Sequence, residues 1–220
     1  MSFLEALFGV AMLVLHAAPA AAVPAFAVQT GQPCKQCHIG AFGPQLTPFG
    51  RNFKLNGYTL RAGDTFTLPV SAMAVASFVH TQGDAPEPPA SHYAVNDNTT
   101  LDEASLFLAG GIGEHFGGFA QVTYSGVDRA VAWDNLDLRA VEKTTLFGSD
   151  VTLGLSVNNN PTIQDVWATL PGWGFPFTDS DLMPGPDAAT LVSDALAQNV
   201  LGVSAYAWWD DHLYTEFGLY

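Results

Sequence analysis

Along most of the chain, apolar and polar residues alternate one by one. In "FAQVTYSGV" Gln121, Thr123 and Ser125 fall on one face and Ala120, Val122 and Tyr124 on the other; in "LDLRAVEKT" Asp137, Arg139 and Lys143 alternate with Leu136, Leu138 and Ala140. A period of two is that of a β-strand with one apolar face. It predicts strands at 67–81, 101–112, 116–127, 135–147, 151–158, 199–209 and 212–220. The fold class expected is mainly β.

The connections between these segments are informative in their own right. The first, third and fifth (82–100, 128–134 and 159–198) are expected to be long, and the second, fourth and sixth are tight turns near "GEHF", "GSD" and "DDH". An antiparallel up-and-down barrel of the outer membrane has this alternation, with short periplasmic turns and longer outer loops. A soluble β-sandwich does not require it.

Composition sharpens the choice. Hydrophobic residues make up 48% of the chain and charged residues only 13%, against about 25% charged in an ordinary soluble domain. Beyond the first thirty residues glycine, proline and polar residues interrupt every apolar run before it reaches the ~18 residues that a spanning helix needs. A closed barrel is the membrane solution left. With 7 basic and 21 acidic residues the formal charge is -14, which argues against nucleic acid as a partner and leaves cations as the natural attraction. Asp84, Glu87, Asp97, Asp128, Asp134, Asp179, Asp181 and Asp187 are read as loop residues, solvated or forming a cation funnel.

The first residues differ from the rest. "LFGVAMLVLHAAPAAA" is apolar, ends in small residues and is followed by "VPAFA", so 1–22 reads as a signal peptide with cleavage after Ala22 or Ala27. Glu5 stands where such a leader usually carries Lys or Arg, and a buried or membrane-anchoring helix is the other reading.

The only two cysteines follow directly, in Cys34-Lys35-Gln36-Cys37-His38. Cys-x-x-Cys-His is the attachment pattern of c-type haem: the thiols form thioethers with the two vinyl groups, and the adjacent imidazole serves as proximal iron ligand. A zinc site would need further ligands, and no second cysteine pair exists. A redox disulfide of the thioredoxin type expects a βαβ context that is missing here. The candidate cofactor is therefore one covalent haem c, held in a segment spanning 23–62, with 63–220 forming the barrel portion. Around it, Phe42, Phe49 and Phe53 are candidates to pack on the porphyrin, Pro44 and Pro48 stiffen the chain, and Arg51 and Lys54 are candidate propionate partners. For the sixth iron position Met73 is the candidate, since it shares the polar parity of Ser71, Ser77 and Thr81; His80, His92 or an open site are the rivals.

The fifth connection is far longer than an ordinary loop, and its Trp167, Trp173, Phe175 and Phe177 predict that it folds, closing over the lumen. No Ser-His-Asp order, phosphate loop or carboxylate pair marks a hydrolase.

Taken with "AFAVQTGQPCKQCHIGAFGPQLTPFGRNFKLNGYTL", "NNNPT" and "DVWATLP", the chain resembles the fused cytochrome-porins of bacterial outer membranes, a group that includes iron-oxidising outer-membrane cytochromes. The resemblance implies an outer-membrane cytochrome c with a short-helical haem segment, periplasmic or inside the lumen of a lipid-embedded barrel. It also implies electron transfer between an extracellular donor, Fe(II) being the most specific guess, and periplasmic carriers. Iron oxidation is the activity that could accompany it. Cys34, Cys37 and His38 match the family motif; no motif fixes the distal ligand. Seven strands are odd in number and too few for a bacterial single-chain barrel, so the expectation is a fragment, a truncated record or an assembly of chains. The competing readings are a passive porin whose N-terminal segment carries a non-conducting haem or a disulfide, and a soluble periplasmic cytochrome with an attached β-domain.

Overall fold

The computed structural model describes residues 24–40, 43–63, 68–170, 180–183 and 190–220. The leader, Phe42, Trp173, Phe175, Phe177, Asp179 and Asp187 lie outside them. Three short helices come first: α1 (Pro24–Thr30), α2 (Cys34–Cys37) and α3 (Pro48–Leu55). Seven strands follow: β1 (Val70–Val79), β2 (Asn98–Ile112), β3 (Phe116–Ser125), β4 (Ala130–Leu146), β5 (Ser149–Asn158), β6 (Gly202–Trp209) and β7 (Leu213–Leu219). They form one antiparallel sheet in sequence order, each strand paired with the next. All seven strands expected from the alternation are present. Among the described residues no helix is long and apolar enough to cross a membrane, which does not bear on strands.

One connection departs from expectation. The third is a turn running only from 126 to 129, because β4 begins at Ala130 and pairs Ala130–Trp133 with Val122–Ser125. The small and charged residues of "GVDRAVAWD" hide that strand start. The alternation of long and short connections therefore holds at the first and fifth connections but not at the third. Asp134, expected in a loop, lies within β4.

The sheet buries its polar face and exposes its apolar one. Asp137 is 0% exposed and its neighbour Leu138 50%; Ser156 is 0% exposed and its neighbour Leu155 55%. Arg139, Ser105, Gln121, Asn158 and Ser204 join the covered face, while Leu106, Leu108, Leu153, Val157, Val203 and Phe217 project outward. A sheet folding in water does the reverse, since apolar area is what water expels.

What covers the polar face is the N-terminal segment. Phe26 of α1 stacks on Tyr58 at 5.2 Å and meets Phe53 at 5.0 Å and Phe119 of β3 at 6.3 Å. Gln29 holds the segment to its own loop and to the sheet at once: its Nε2 donates to the carbonyls of Tyr58 and Leu60, and its Oε1 accepts from Gly111 N–H in β2. Leu55 packs with Val141, Val166 and Tyr206, and Tyr206 Oη donates to the Leu55 carbonyl at 2.7 Å. Close approach needs glycine: a Cβ on Gly117 would stand 2.1 Å from the Gly57 carbonyl oxygen. Gly57 to Gly117 and Gln29 to Gly111 place the segment toward the end of the sheet that carries the turns at 113–115, 147–148 and 210–212.

Candidate functional site

The motif Cys34–His38 is one turn of helix and its C-cap. Pro33 stands at the N-cap of α2, and the His38 N–H donates to the Cys34 carbonyl at 2.9 Å, closing the turn. Helical spacing brings residues three apart onto one side, so Cys34 and Cys37 share a face. They are free thiols, both half-buried. Burial pushes the Cys37 thiol up from its ordinary value, and the neighbouring Cys34 adds to the effect.

Thr47 joins this turn to α3. Its N–H donates to the Cys37 carbonyl at 2.9 Å and its hydroxyl to the Gln36 carbonyl, while the same oxygen caps α3 by accepting from Gly50 N–H at 3.1 Å. The His38 ring is held at Nδ1, which lies 2.9 Å from the Gly43 carbonyl oxygen. A carbonyl can only accept, so Nδ1 carries the proton and Nε2 keeps its lone pair free for a ligand role. Burial lowers the pKa of His38, opposed by that hydrogen bond.

Cys34, Cys37 and His38 open onto a cavity of about 470 Å³ between the N-terminal segment and the polar face of the sheet. Phe26, Phe53, Tyr58, Phe119 and Leu136 line its apolar walls; Lys54, Asn135, Asp137 and Gln198 contribute polar groups. The size lies in the range of small-molecule and cofactor sites, about 300–1,000 Å³. Paired free thiols, an imidazole with Nε2 free and aromatic walls fit the donor set of a c-type haem.

The other candidates divide. Lys54 lines this cavity and is buried, its Nζ donating to the Ile163 carbonyl at 2.6 Å and the Asp165 carbonyl at 3.4 Å. Burial pulls its pKa down to about 8, with the Arg139 charge acting in the same direction. Phe53 and Pro44 line the cavity as well. Arg51, Phe49 and Pro48 instead line a second cavity of about 680 Å³ with Trp167, Trp208 and Tyr214. Arg51 donates to the Leu46 carbonyl at 3.2 Å and lies 5.6 Å over the Trp167 ring. Met73 pairs with Ser105 in β1–β2, on the covered face as its parity predicts, but it is not among the residues lining the cavity. His80 is exposed and pairs with Asp97 at 2.7 Å.

The fifth connection packs on the same site at its beginning. The Leu46 N–H donates to the Trp167 carbonyl at 2.8 Å, and Asp165 organises the loop by accepting from the N–H groups of Trp167, Thr169 and Leu170. Those hydrogen bonds hold the Asp165 carboxyl below its ordinary pKa although burial opposes them.

A buried ionic network under the cavity was not foreseen from the sequence. Tyr58 Oη donates to Asp137 Oδ2 at 2.5 Å, Arg139 Nε to the same oxygen at 2.7 Å and Ser156 Oγ to Oδ1 at 2.8 Å. Asp137 and Arg139, two apart on the polar parity, were the available signal. Burial raises the pKa of Tyr58 well above its ordinary value, helped by the Asp137 charge.

Comparison of the chain with protein-family models, with curated proteins and with solved structures gave no match in any of the three.

Proposed function

We propose that this chain is an outer-membrane c-type cytochrome, an electron-transfer protein whose sheet is part of a β-barrel. Haem c would be held through thioethers to Cys34 and Cys37, with His38 Nε2 as proximal iron ligand, in the aromatic cavity against the polar face of the sheet. Bound there, it supplies one-electron redox chemistry; the protein supplies orientation through Gly43 and Thr47 and shields the site from water with Phe26, Phe53 and Phe119.

The observation that carries this reading is the pairing of the Cys34–His38 turn with an inverted sheet. Leu138 and Leu155 face outward, while Asp137 lines the cavity beside the motif-bearing segment and Ser156, hydrogen-bonded to Asp137, is fully buried. In lipid that inversion is what is required, since apolar residues meet acyl chains and polar ones the lumen. A haem inside such a sleeve explains why a cytochrome would be fused to strands at all. The hydrocarbon core is about 30 Å thick, too wide for a soluble haem on one side to serve the other. The net charge of -14 and the family resemblance favour a cationic extracellular donor, Fe(II), with periplasmic carriers as acceptors.

The test is a haem stain on denatured protein from outer-membrane fractions of a host with the c-type maturation machinery. The expected result is a stained band in wild type, lost on Cys34→Ala/Cys37→Ala, and a Soret spectrum and potential altered in His38→Ala. An unstained wild-type band, or a spectrum and potential untouched by His38→Ala, would overturn the assignment.

A further inference from the structure

Helix α3 is a wall with a cavity on each side. Gly50, Phe53 and Lys54 face the cavity of the Cys34–His38 motif. Pro48, Arg51, Asn52 and Leu55, at the three- and four-residue spacing of one helical stripe, face the second cavity of about 680 Å³. Arg51, expected to serve the haem propionates, is thereby turned to a different space.

The floor of that second cavity is packed in advance. Leu55 and Val166 belong to a buried cluster with Val141 and Tyr206, and Trp208 of β6 and Tyr214 of β7 rest on it with their rings 6.5 Å apart. Along β6 and β7 the covered face changes character. It carries Ser204 and Glu216 further into the sheet, but Trp208 and Tyr214 beside the turn at 210–212. These two rings point away from the outward face, where acyl chains would cover them. Trp167 lines the same cavity and stays 53% exposed. Aromatic surface left hydrated in a preformed hollow is area that a ligand gains by covering.

The polar groups of the lining select the charge of that ligand. Arg51 spends a donor on the Leu46 carbonyl at 3.2 Å, lies 5.6 Å over the Trp167 ring, and pairs with no carboxylate among the described residues. Asp211, the carboxylate of the lining, accepts instead from Trp208 Nε1 at 2.9 Å. His212 donates from Nδ1 to the Asp210 carbonyl and adds no negative charge. A guanidinium with donors to spare is matched best by a planar carboxylate. In a chain with 7 basic and 21 acidic residues, an arginine without a carboxylate beside three aromatic rings is a specific arrangement.

We propose that this cavity binds a small planar aromatic carboxylate, its ring against Trp167, Trp208 and Tyr214 and its carboxylate on Arg51. The volume lies within the ~300–1,000 Å³ of small-molecule sites. Entry from the periplasm rests on the barrel reading; the site itself does not, and it needs no haem.

The experiment is equilibrium dialysis of the full chain in detergent against naphthalene-2-carboxylate, with a detergent-only chamber to subtract uptake by micelles. Saturable binding of one molecule per chain is expected, with the uncharged methyl ester binding far more weakly. Affinity for the carboxylate should fall about tenfold or more in Arg51→Gln, less in Arg51→Lys, and about tenfold in the exposed Trp167→Ala. Absence of saturable binding in wild type, equal affinity in Arg51→Gln, or an ester bound as tightly as the carboxylate would overturn the proposal. Cys34→Ala/Cys37→Ala should bind the carboxylate as wild type does, so failure of haem attachment and failure of this site are read separately. Loss of binding in that variant would place the probe in the haem cavity and overturn the assignment to Arg51.

Discussion

Tyr58 donates its hydroxyl to Asp137 across 2.5 Å, and so ties the loop after α3 to the centre of the sheet. The same carboxylate takes Arg139 Nε at 2.7 Å, and the Arg139 guanidinium lies over the rings of Tyr58 (5.7 Å) and Tyr206 (5.2 Å), its two terminal nitrogens buried without hydrogen bonds among the described residues. The network is thus a charge pair set against two aromatic rings, in which Arg139 tolerates burial through Asp137, and Asp137 through Arg139 and the hydroxyls of Tyr58 and Ser156.

Removing one charge should therefore cost far more than removing both. Asp137→Leu is expected to destabilise by about 3–5 kcal/mol, because Arg139 stays buried and unpaired. Asp137→Leu/Arg139→Met should recover most of that loss, and Tyr58→Phe should cost about 1–3 kcal/mol by taking one donor from a buried carboxylate. Denaturant midpoints of the detergent-refolded chain measure all three. A double variant as damaged as Asp137→Leu alone would mean that the pair matters for shape rather than charge.

Gly50 fixes how closely the motif turn and α3 approach. A Cβ there would stand 2.2 Å from the Cys37 carbonyl oxygen. Gly50→Ala should push α3 away from α2 at a cost of about 1–3 kcal/mol, and the haem-stained fraction should fall with the cysteines intact. Undiminished staining at equal expression would show that the two helices need not touch for attachment.

Lys54 gives a pH dependence whose sign is fixed. Its pKa is lowered from 10.5 to about 8 by burial, reinforced by Arg139 and opposed by Asp137, Glu216 and Asp165. Between about 8 and 10.5 the unfolded chain binds the proton and the folded chain does not, so stability rises with pH across that window. The full rise is on the order of 3 kcal/mol. Denaturant midpoints at pH 7.5 and 9.5 should differ in that direction, and Lys54→Met should abolish the difference. A midpoint that falls from pH 7.5 to 9.5 in wild type but not in Lys54→Met would reverse the assignment.

How much of this was legible beforehand depends on whether a signal is local. Strict alternation placed all seven strands, because period two is written into each segment separately. The turn at 126–129 was missed because "AVAW" at the start of β4 has no polar partner positions to mark it. The register slips at Val75/Ala76 and Gln121/Val122, which leave Asp102 and Asp134 as extra residues, escaped for a related reason. An extra residue shows only when two strands are aligned, and Asp102 and Asp134 look like ordinary alternation errors. The Cys34-Lys35-Gln36-Cys37-His38 motif is fully local, and the structure places it as a helical turn with its C-cap. The ionic network was half visible, since Asp137 and Arg139 share a parity, but Tyr58 and Ser156 reach them from 79 and 19 residues away.

The outward face allows the sharpest test of the membrane reading. Leu155 is 55% exposed, flanked by Ala140 on β4 and Ala205 on β6, so an arginine there would meet no neighbour large enough to shelter it. If that face meets water, Leu155→Arg is a surface change worth within about 0.5 kcal/mol. If it meets lipid near mid-depth, the same change costs about 2–4 kcal/mol. Folding into phospholipid vesicles, followed by protection from protease, should thus be strongly impaired in Leu155→Arg and little affected in Lys143→Arg. Equal protection of Leu155→Arg and wild type would place this face in water, and the apolar stripe from Leu106 to Phe217 would then need a protein partner instead of acyl chains.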